Sequence, residues 1–232
     1  MKLFLPKYPS ILRTLYPERI LKIDNSNAIY LTFDDGPVPK VTPWVLDLLQ
    51  EYNAKASFFC IGDNVEKHSK IFRRIISEGH CIGNHSFNHL NGWKTSNSIY
   101  IENVLNAELM MTGMTKEKNH TRHELHTTNS EQQTPNYKLF RPPYGRIKNS
   151  QAKILKQKGF KIVMWDVISG DYDQEFSAEK CLKNVTQNAS AGSLIVLHDS
   201  EKAFANLKII LPQLLRFYKE KALEFRGLKD IL

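Results

Sequence analysis

Apolar positions along this chain follow two periods in alternation. "AIYLTF" (28–33) is a short continuous run of apolar and β-branched residues, the mark of a buried strand, whereas "KVTPWVLDLLQEY" (40–52) has the three-to-four spacing of an amphipathic helix. The exchange then repeats. "ASFFCI", "HCIGNHS", "YKLFRPPYG", "KIVMWDVIS" and "SLIVLHDS" read as strands, and "NVEKHSKIFRRIISEG", "SNSIYIENVLNAELMM", "NSQAKILKQKGF", "SAEKCLKNVTQNASA" and "AFANLKIILPQLLRFYKEK" read as helices. Strands separated by helices over the whole length predict a mainly parallel sheet with crossover helices, either a barrel or a doubly wound sheet. A length of 232 residues suits a single α/β domain.

Two segments break the pattern. A basic arm occupies 1–27, and "TKEKNHTRHELHTTNSEQQTPN", about 115–136, is polar and fits neither period, so it is expected as a surface insertion. Its His120, His123 and His126 recur at intervals of three, a spacing that a polar loop produces without any metal. The arm begins like a secretory leader, but Pro6 and Lys7 interrupt its apolar run and no small-residue cleavage site follows. The expected location is therefore cytoplasmic, with the arm available to touch an anionic membrane surface.

Charge and cysteines narrow the partners. The net charge is +8, yet the Lys and Arg residues are dispersed with the spacing of solvated helix faces, and no nucleic-acid motif accompanies them. Nucleic acid is not an expected partner. Cys60, Cys81 and Cys181 have no CxxC spacing and sit among apolar residues, as buried reduced thiols do.

The strands end in residues that a core does not accommodate. "YLTF" runs into Asp34 and Asp35, "CIGN" into His85, "KLF" into Arg141, "IVMW" into Asp166, and "LIVL" into His198 and Asp199. In a parallel barrel the carboxyl ends of the strands meet on one face, where active sites are built. His85 and His89 in "HSFNH" are four apart and, with one carboxylate of "DDG", supply two nitrogen ligands and one oxygen ligand to a metal with a position left open for water. The second aspartate is then free to act as a base. Arg141, before the rigid Pro142–Pro143 turn, is the candidate that keeps it ionised, and His198 is the candidate acid on the other side.

Taken in order, "TFDDGP", "HSFNH", "RPPYG", "MWDVISGDYD" and "IVLHD" resemble the motifs of the polysaccharide deacetylases, the NodB-homology or carbohydrate esterase 4 family. The resemblance runs from about Ala28 to the last helix. It implies a distorted (β/α) barrel with fewer than eight strands, and a metal-dependent hydrolase that removes N-acetyl, or O-acetyl, groups from an amino sugar, oligosaccharide or glycan precursor. It further implies that Asp35, His85 and His89 bind a divalent metal, most often zinc, that Asp34 is the base, that Arg141 orients Asp34, that the Tyr144 backbone N–H stabilises the oxyanion, and that His198 is the acid.

Trp165, Asp166 and Asp171 stand as candidate substrate-binding residues, and Trp93, Trp165 and Tyr144 as aromatics of a sugar groove. The family often has an aspartate three residues after the motif tryptophan, where this chain has Ile168; Asp166 or Asp171 is near enough to substitute, but the apolar neighbour predicts a lowered His198 pKa. Tyr172 replaces a frequent tryptophan. Two other readings remain open at this level: hydrolysis of a non-sugar amide, and a catalytically silent glycan-binding protein.

Overall fold

The computed structural model of the protein describes residues 4–116 and 138–231; all but the first two residues of the 115–136 insertion, and with them His120, His123 and His126, lie outside the described residues. Strand β1 (Ala28–Asp34) is buried at every position, and its alternation organises the molecule. Ile29, Leu31 and Phe33 point outward into the layer shared with the surrounding helices. Ala28 and Tyr30 point inward, into a second cluster that fills the lumen. Thr32 and Asp34 continue the inward row at the carboxyl end.

The remaining strands are β2 (Ser57–Cys60), β3 (Cys81–Asn84), β4 (Leu139–Phe140), β5 (Lys161–Ile162), β6 (Val167–Ile168), β7 (Leu194–His198) and β8 (Glu224–Phe225). Seven follow the spatial order β5-β4-β3-β2-β1-β7-β6, all parallel, and β8 adds a two-residue pairing beside the start of β1. This is the distorted barrel expected. Helices α1 (Ser10–Leu15), α2 (Val41–Glu51), α3 (Gly62–Lys67), α4 (Ser69–Ser77), α5 (Asn97–Lys116), α6 (Asn149–Gln157), α7 (Ala178–Thr186) and α8 (Phe204–Glu220) complete the described elements of regular length.

The lumen has an apolar floor and a polar top. Ala28, Tyr30, Phe59, Cys81, Leu139, Val163, Leu194 and Leu228 fill the lower part, so the barrel is a packed core and not a pore. Gly83 is required above this layer, because a Cβ there would lie 2.4 Å from the Phe59 ring. Cys60, Cys81 and Cys181 are all buried and free, as their sequence surroundings indicated.

Two segments expected as single elements are split. The helix read across 64–79 is α3 and α4, because His68 between them leaves helical backbone angles (φ −126°, ψ 43°). The strand read across 161–169 is β5 and β6, because the residues between them pair with the arm. Ile20 N–H donates to the Ile162 carbonyl at 2.9 Å and Met164 N–H to the Ile20 carbonyl at 2.8 Å; Tyr8 N–H donates to the Asp166 carbonyl at 2.9 Å and Ile168 N–H to the Pro6 carbonyl at 2.8 Å. The arm therefore bridges the seam between β5 and β6, which do not pair with each other.

Asp166 locks that seam. Fully buried, it accepts from Ser193 Oγ at 2.6 Å and Arg13 Nη2 at 3.0 Å, and lies 3.6 Å from Lys7 Nζ. Two of the arm's cations are thus engaged by the barrel itself. No helix among the described residues is long and apolar enough to cross a membrane.

Replacing Asp166 with Ala removes the acceptor shared by the arm and the Ser193 hydroxyl. The variant is expected to lose about 1–3 kcal/mol of unfolding free energy in urea and to be cleaved within residues 4–27 by limited proteolysis before the barrel unfolds.

Candidate active site

The end of β1 turns sharply. Asp34 is the last inward residue, and Asp35, with φ of 84°, reverses the chain so that two adjacent carboxylates face the same cavity from different angles. The turn is fixed from outside the lumen. Gly36 N–H and Thr42 Oγ1 donate to the two oxygens of buried Asp199, at 3.0 and 2.6 Å, and Asn64 Nδ2 donates to the Asp35 carbonyl at 2.7 Å. A side chain at Gly36 would collide with Asp199, since its Cβ would fall 2.0 Å from Oδ2. Burial pushes the Asp199 carboxyl up to about 7, against the lowering effect of the Thr42 hydroxyl.

Asp34 is 4% exposed, and a buried carboxylate needs a partner. Arg141, 1% exposed, provides it: Nη1 donates to Asp34 Oδ1 at 2.6 Å and to Thr32 Oγ1 at 2.8 Å, and Nη2 donates to the Met164 carbonyl at 2.7 Å. The guanidinium lies over the Phe59 ring, 4.1 Å from its centroid. Burial raises the Asp34 pKa, but the Arg141 charge, followed by the His85 and His198 imidazoles, outweighs it and holds the carboxyl below its ordinary value. Oδ2 of Asp34 has no hydrogen-bond partner among the described residues.

Asp35, His85 and His89 bring one donor atom each to within 4.8 Å of one another. His89 Nε2 lies 3.4 Å and His85 Nε2 3.8 Å from Asp35 Oδ1. The other ring nitrogens are occupied: His85 Nδ1 is 2.7 Å from the Arg141 carbonyl, and His89 Nδ1 is 3.2 Å from the Tyr144 hydroxyl. A His85 ring that donates through Nδ1 presents Nε2 as a lone pair, the state in which imidazole binds metal. Burial, with His85 adding to it, lowers the His89 pKa to about 4 and keeps that ring neutral. The turn carrying both histidines is held by Asn84 Oδ1 on the Ser86 N–H and Asn103 Oδ1 on the Phe87 N–H, and Ser86 and His89 have positive φ. HSFNH is thus a tight turn past β3. The donor set and its spacing fit a divalent metal.

Across the cavity, His198 ends β7. Asp171 clamps it twice, with Oδ1 2.8 Å from His198 Nδ1 and Oδ2 accepting the His198 backbone N–H at 2.9 Å. Ser169 Oγ donates to the same Asp171 Oδ1 at 2.9 Å. Burial lowers the His198 pKa, but Asp171 more than reverses this and lifts it to about 9. The lowering expected from Ile168 is overturned, because Asp171, six residues after Trp165, reaches the position by a turn. Ile168 forms part of the cavity wall.

The cavity holds about 600 Å³ and is walled by Asp34, Asp35, His85, His89, Arg141 and His198 together with Tyr144, Trp165, Ile168 and Tyr172. Asp166 and Asp171 do not line it. Asp166 faces the arm, on the opposite side from Trp165, and Asp171 stands behind His198; neither is placed to touch a substrate. Trp93 is 60% exposed and lies under the Arg146 guanidinium outside the wall. Tyr144 (φ 59°) sits on the RPPYG turn, and its backbone N–H donates to no acceptor among the described residues.

Several residues that shape the site carry no sequence signal of their own. Thr32 and Phe59, inward residues of ordinary strands, fix Arg141; Phe4 and Leu5 of the arm join the cavity wall. Asp199 was visible as a strand-end carboxylate, but its grip on the Gly36 turn required the fold.

The family model described as polysaccharide deacetylase matches residues 22–163. Among curated proteins, a peptidoglycan-N-acetylglucosamine deacetylase of Bacillus cereus is 32% identical over 214 residues, 90% of each chain, and a chitooligosaccharide deacetylase of Azorhizobium caulinodans is 31% identical over 175 residues, 75% of each. Among solved structures, that of a peptidoglycan N-acetylglucosamine deacetylase superposes with a TM-score of 0.78 at 31% identity, covering 91% of both chains.

Two substitutions separate the two halves of the cavity. Asp171→Asn removes the group that raises His198 most, so the His198 pKa falls from about 9 toward the ordinary imidazole range; a histidine titration followed by NMR registers the shift. Arg141→Met leaves Asp34 buried without its cation. The Asp34 pKa then rises, and thermal or urea unfolding shows a loss of about 3–5 kcal/mol.

Proposed function

The chain belongs to the polysaccharide deacetylase family, and from that membership we propose a metal-dependent hydrolase that removes N-acetyl groups from the amino sugars of a glycan. The observation that carries the reading is the meeting of three kinds of group in one cavity: a metal-donor triad, a buried carboxylate with one oxygen unengaged, and an imidazole held protonated by a second carboxylate.

Asp35, His85 and His89 would hold the ion, and two imidazoles with one carboxylate favour zinc among divalent metals. When bound, the metal polarises the acetamide carbonyl and acidifies water. Asp34 Oδ2 accepts the proton of the attacking water while Arg141 keeps the carboxylate ionised and fixed through Oδ1. As the water oxygen bonds to the carbonyl carbon, the free N–H of Tyr144 is a donor for the charge that develops on the carbonyl oxygen, the kind of contact whose loss costs roughly 10²- to 10³-fold. His198, cationic at neutral pH, gives its proton to the nitrogen as the C–N bond breaks. Acetate and a free amino sugar leave.

The two proton-transfer groups are biased in opposite directions by their surroundings, Asp34 downward by Arg141 and His198 upward by Asp171, so both are in the required state across the neutral range. Tyr144, Trp165 and Tyr172 supply aromatic faces suited to a sugar ring.

Zinc-loaded protein is expected to release acetate from N-acetylglucosamine oligomers, with kcat/KM falling on an alkaline limb near pH 9 as His198 loses its proton. Asp34→Asn should lower kcat roughly 10²- to 10⁴-fold with little change in bound zinc, and chelation should abolish turnover. Acetate release that persists in the chelated protein or in Asp34→Asn would overturn the assignment.

A further inference from the structure

The rim of the cavity carries charge of one sign. Besides Asp34 and Asp35 at its base, both engaged by the groups described above, the charged residues of the wall are cations, and two of them, Arg146 and Lys202, are exposed. Arg146 follows Tyr144 on the turn after β4, and Lys202 follows His198 on the loop after β7. In the sheet, β3, β2 and β1 lie between β4 and β7, so the two cations stand on opposite walls.

Neither has a carboxylate partner among the described residues. Arg146 is supported instead by an aromatic surface: its guanidinium lies 5.2 Å from the centre of the Trp93 ring, and that indole is fixed by its own N–H, which donates to the Ile147 carbonyl at 3.2 Å. Elsewhere on this protein Arg74 is held by Asp47 and Glu78 and Arg226 by Glu224, whereas Arg146 rests on an indole. The nearest acids in sequence to the rim lysine, Glu201 and Asp199, are not part of the wall; Asp199 is turned inward to Gly36 and Thr42.

Two unpaired cations facing one another across a site for a neutral acetamide have no task in the hydrolysis itself. Their chemistry suits a charge on the sugars to either side of the scissile group. We propose that the site selects an acidic glycan, one in which a unit flanking the N-acetylated sugar bears an anionic substituent, a carboxylate or a phosphate, read by Arg146 on one wall and Lys202 on the other. The inference rests on the deacetylase reading and adds to it the class of glycan. A planar guanidinium presented on an indole binds a carboxylate or phosphate oxygen pair, whereas the flexible lysine acts as a point charge.

The test compares kcat/KM for four glycans of equal length with zinc-loaded protein. One is a neutral N-acetylglucosamine oligomer, and the second alternates N-acetylglucosamine with N-acetylmuramic acid bearing free lactyl carboxylates. The third is the second with those carboxylates methyl-esterified, and the fourth is the neutral oligomer carrying a phosphate ester. Exposed charge pairs are individually weak, so the acidic forms are expected to be preferred roughly three- to tenfold over the neutral and esterified ones. That preference should fall to near unity in the Arg146→Gln/Lys202→Gln double variant, and in wild type at high salt. Binding of the same glycans to zinc-loaded Asp34→Asn, followed by calorimetry, reads the charge preference without turnover.

A preference for the carboxylate or for the phosphate form identifies the substituent. Equal use of the free and esterified forms together with no gain from phosphate, or a preference that survives the double variant, would overturn the inference while leaving the deacetylase reading intact. Acetate from none of the four would overturn the deacetylase reading itself.

Discussion

A carboxylate and a guanidinium buried against each other at the top of the barrel lumen are the constraint around which this protein is arranged. Asp34 and Arg141 come from the ends of strands three places apart in the sheet, and bringing them together removes two charges from water. Such a pair persists only where its remaining hydrogen-bonding capacity is met. Thr32 and the Met164 carbonyl meet most of it, and Phe59 supplies the surface on which the guanidinium rests. Phe59 in turn needs Gly83 bare, and the same ring belongs to the apolar layer below. The floor of the barrel and the ionisation of the base are thus one packing problem.

The pair also divides the labour of the two adjacent aspartates. Asp34 continues the inward row of β1 and meets Arg141; Asp35, reversed by its positive φ, meets the histidines. Repulsion between neighbouring carboxylates is relieved by giving each a different counter-charge, one supplied by the chain and the other suited to a metal. Asp199, buried between Gly36 and Thr42, holds the turn that makes this division possible.

Much of this was legible in the sequence, for identifiable reasons. The continuous apolar runs and the three-to-four spaced runs located the strands and helices, and polar residues at strand ends located the catalytic face, because a barrel permits such residues only there. The roles of Asp34, Asp35, His85, His89 and His198 rested on the motifs as a set. As substrate-binding candidates Asp166 and Asp171 were misread for a shared cause: both lie near Trp165 in sequence, but the chain between β5 and β6 pairs with the arm, turning Asp166 toward Arg13, and the turn after Ile168 carries Asp171 behind His198, where it fills the other role read for it, that of the aspartate beside the histidine. Sequence distance from a motif residue does not report which way an irregular segment faces. The arm itself looked like a basic appendage, since its value to the fold lies in backbone hydrogen bonds that no side-chain pattern encodes.

The seam and the floor have a consequence for assembly. Residues 6–20 pair with 162–168, and residues 224–226 pair with the start of β1 while Leu228 plugs the lumen beneath it. The longest loops in the chain must therefore close to finish the two ends of the barrel, a topology of high contact order in which closure entropy is met late. During synthesis the first strand waits for residues 224–228 before its lower half is covered. Until then Ala28, Ile29 and Tyr30 form an open apolar edge, and it is this nascent species, rather than the finished enzyme, whose aggregation a cell must hold in check.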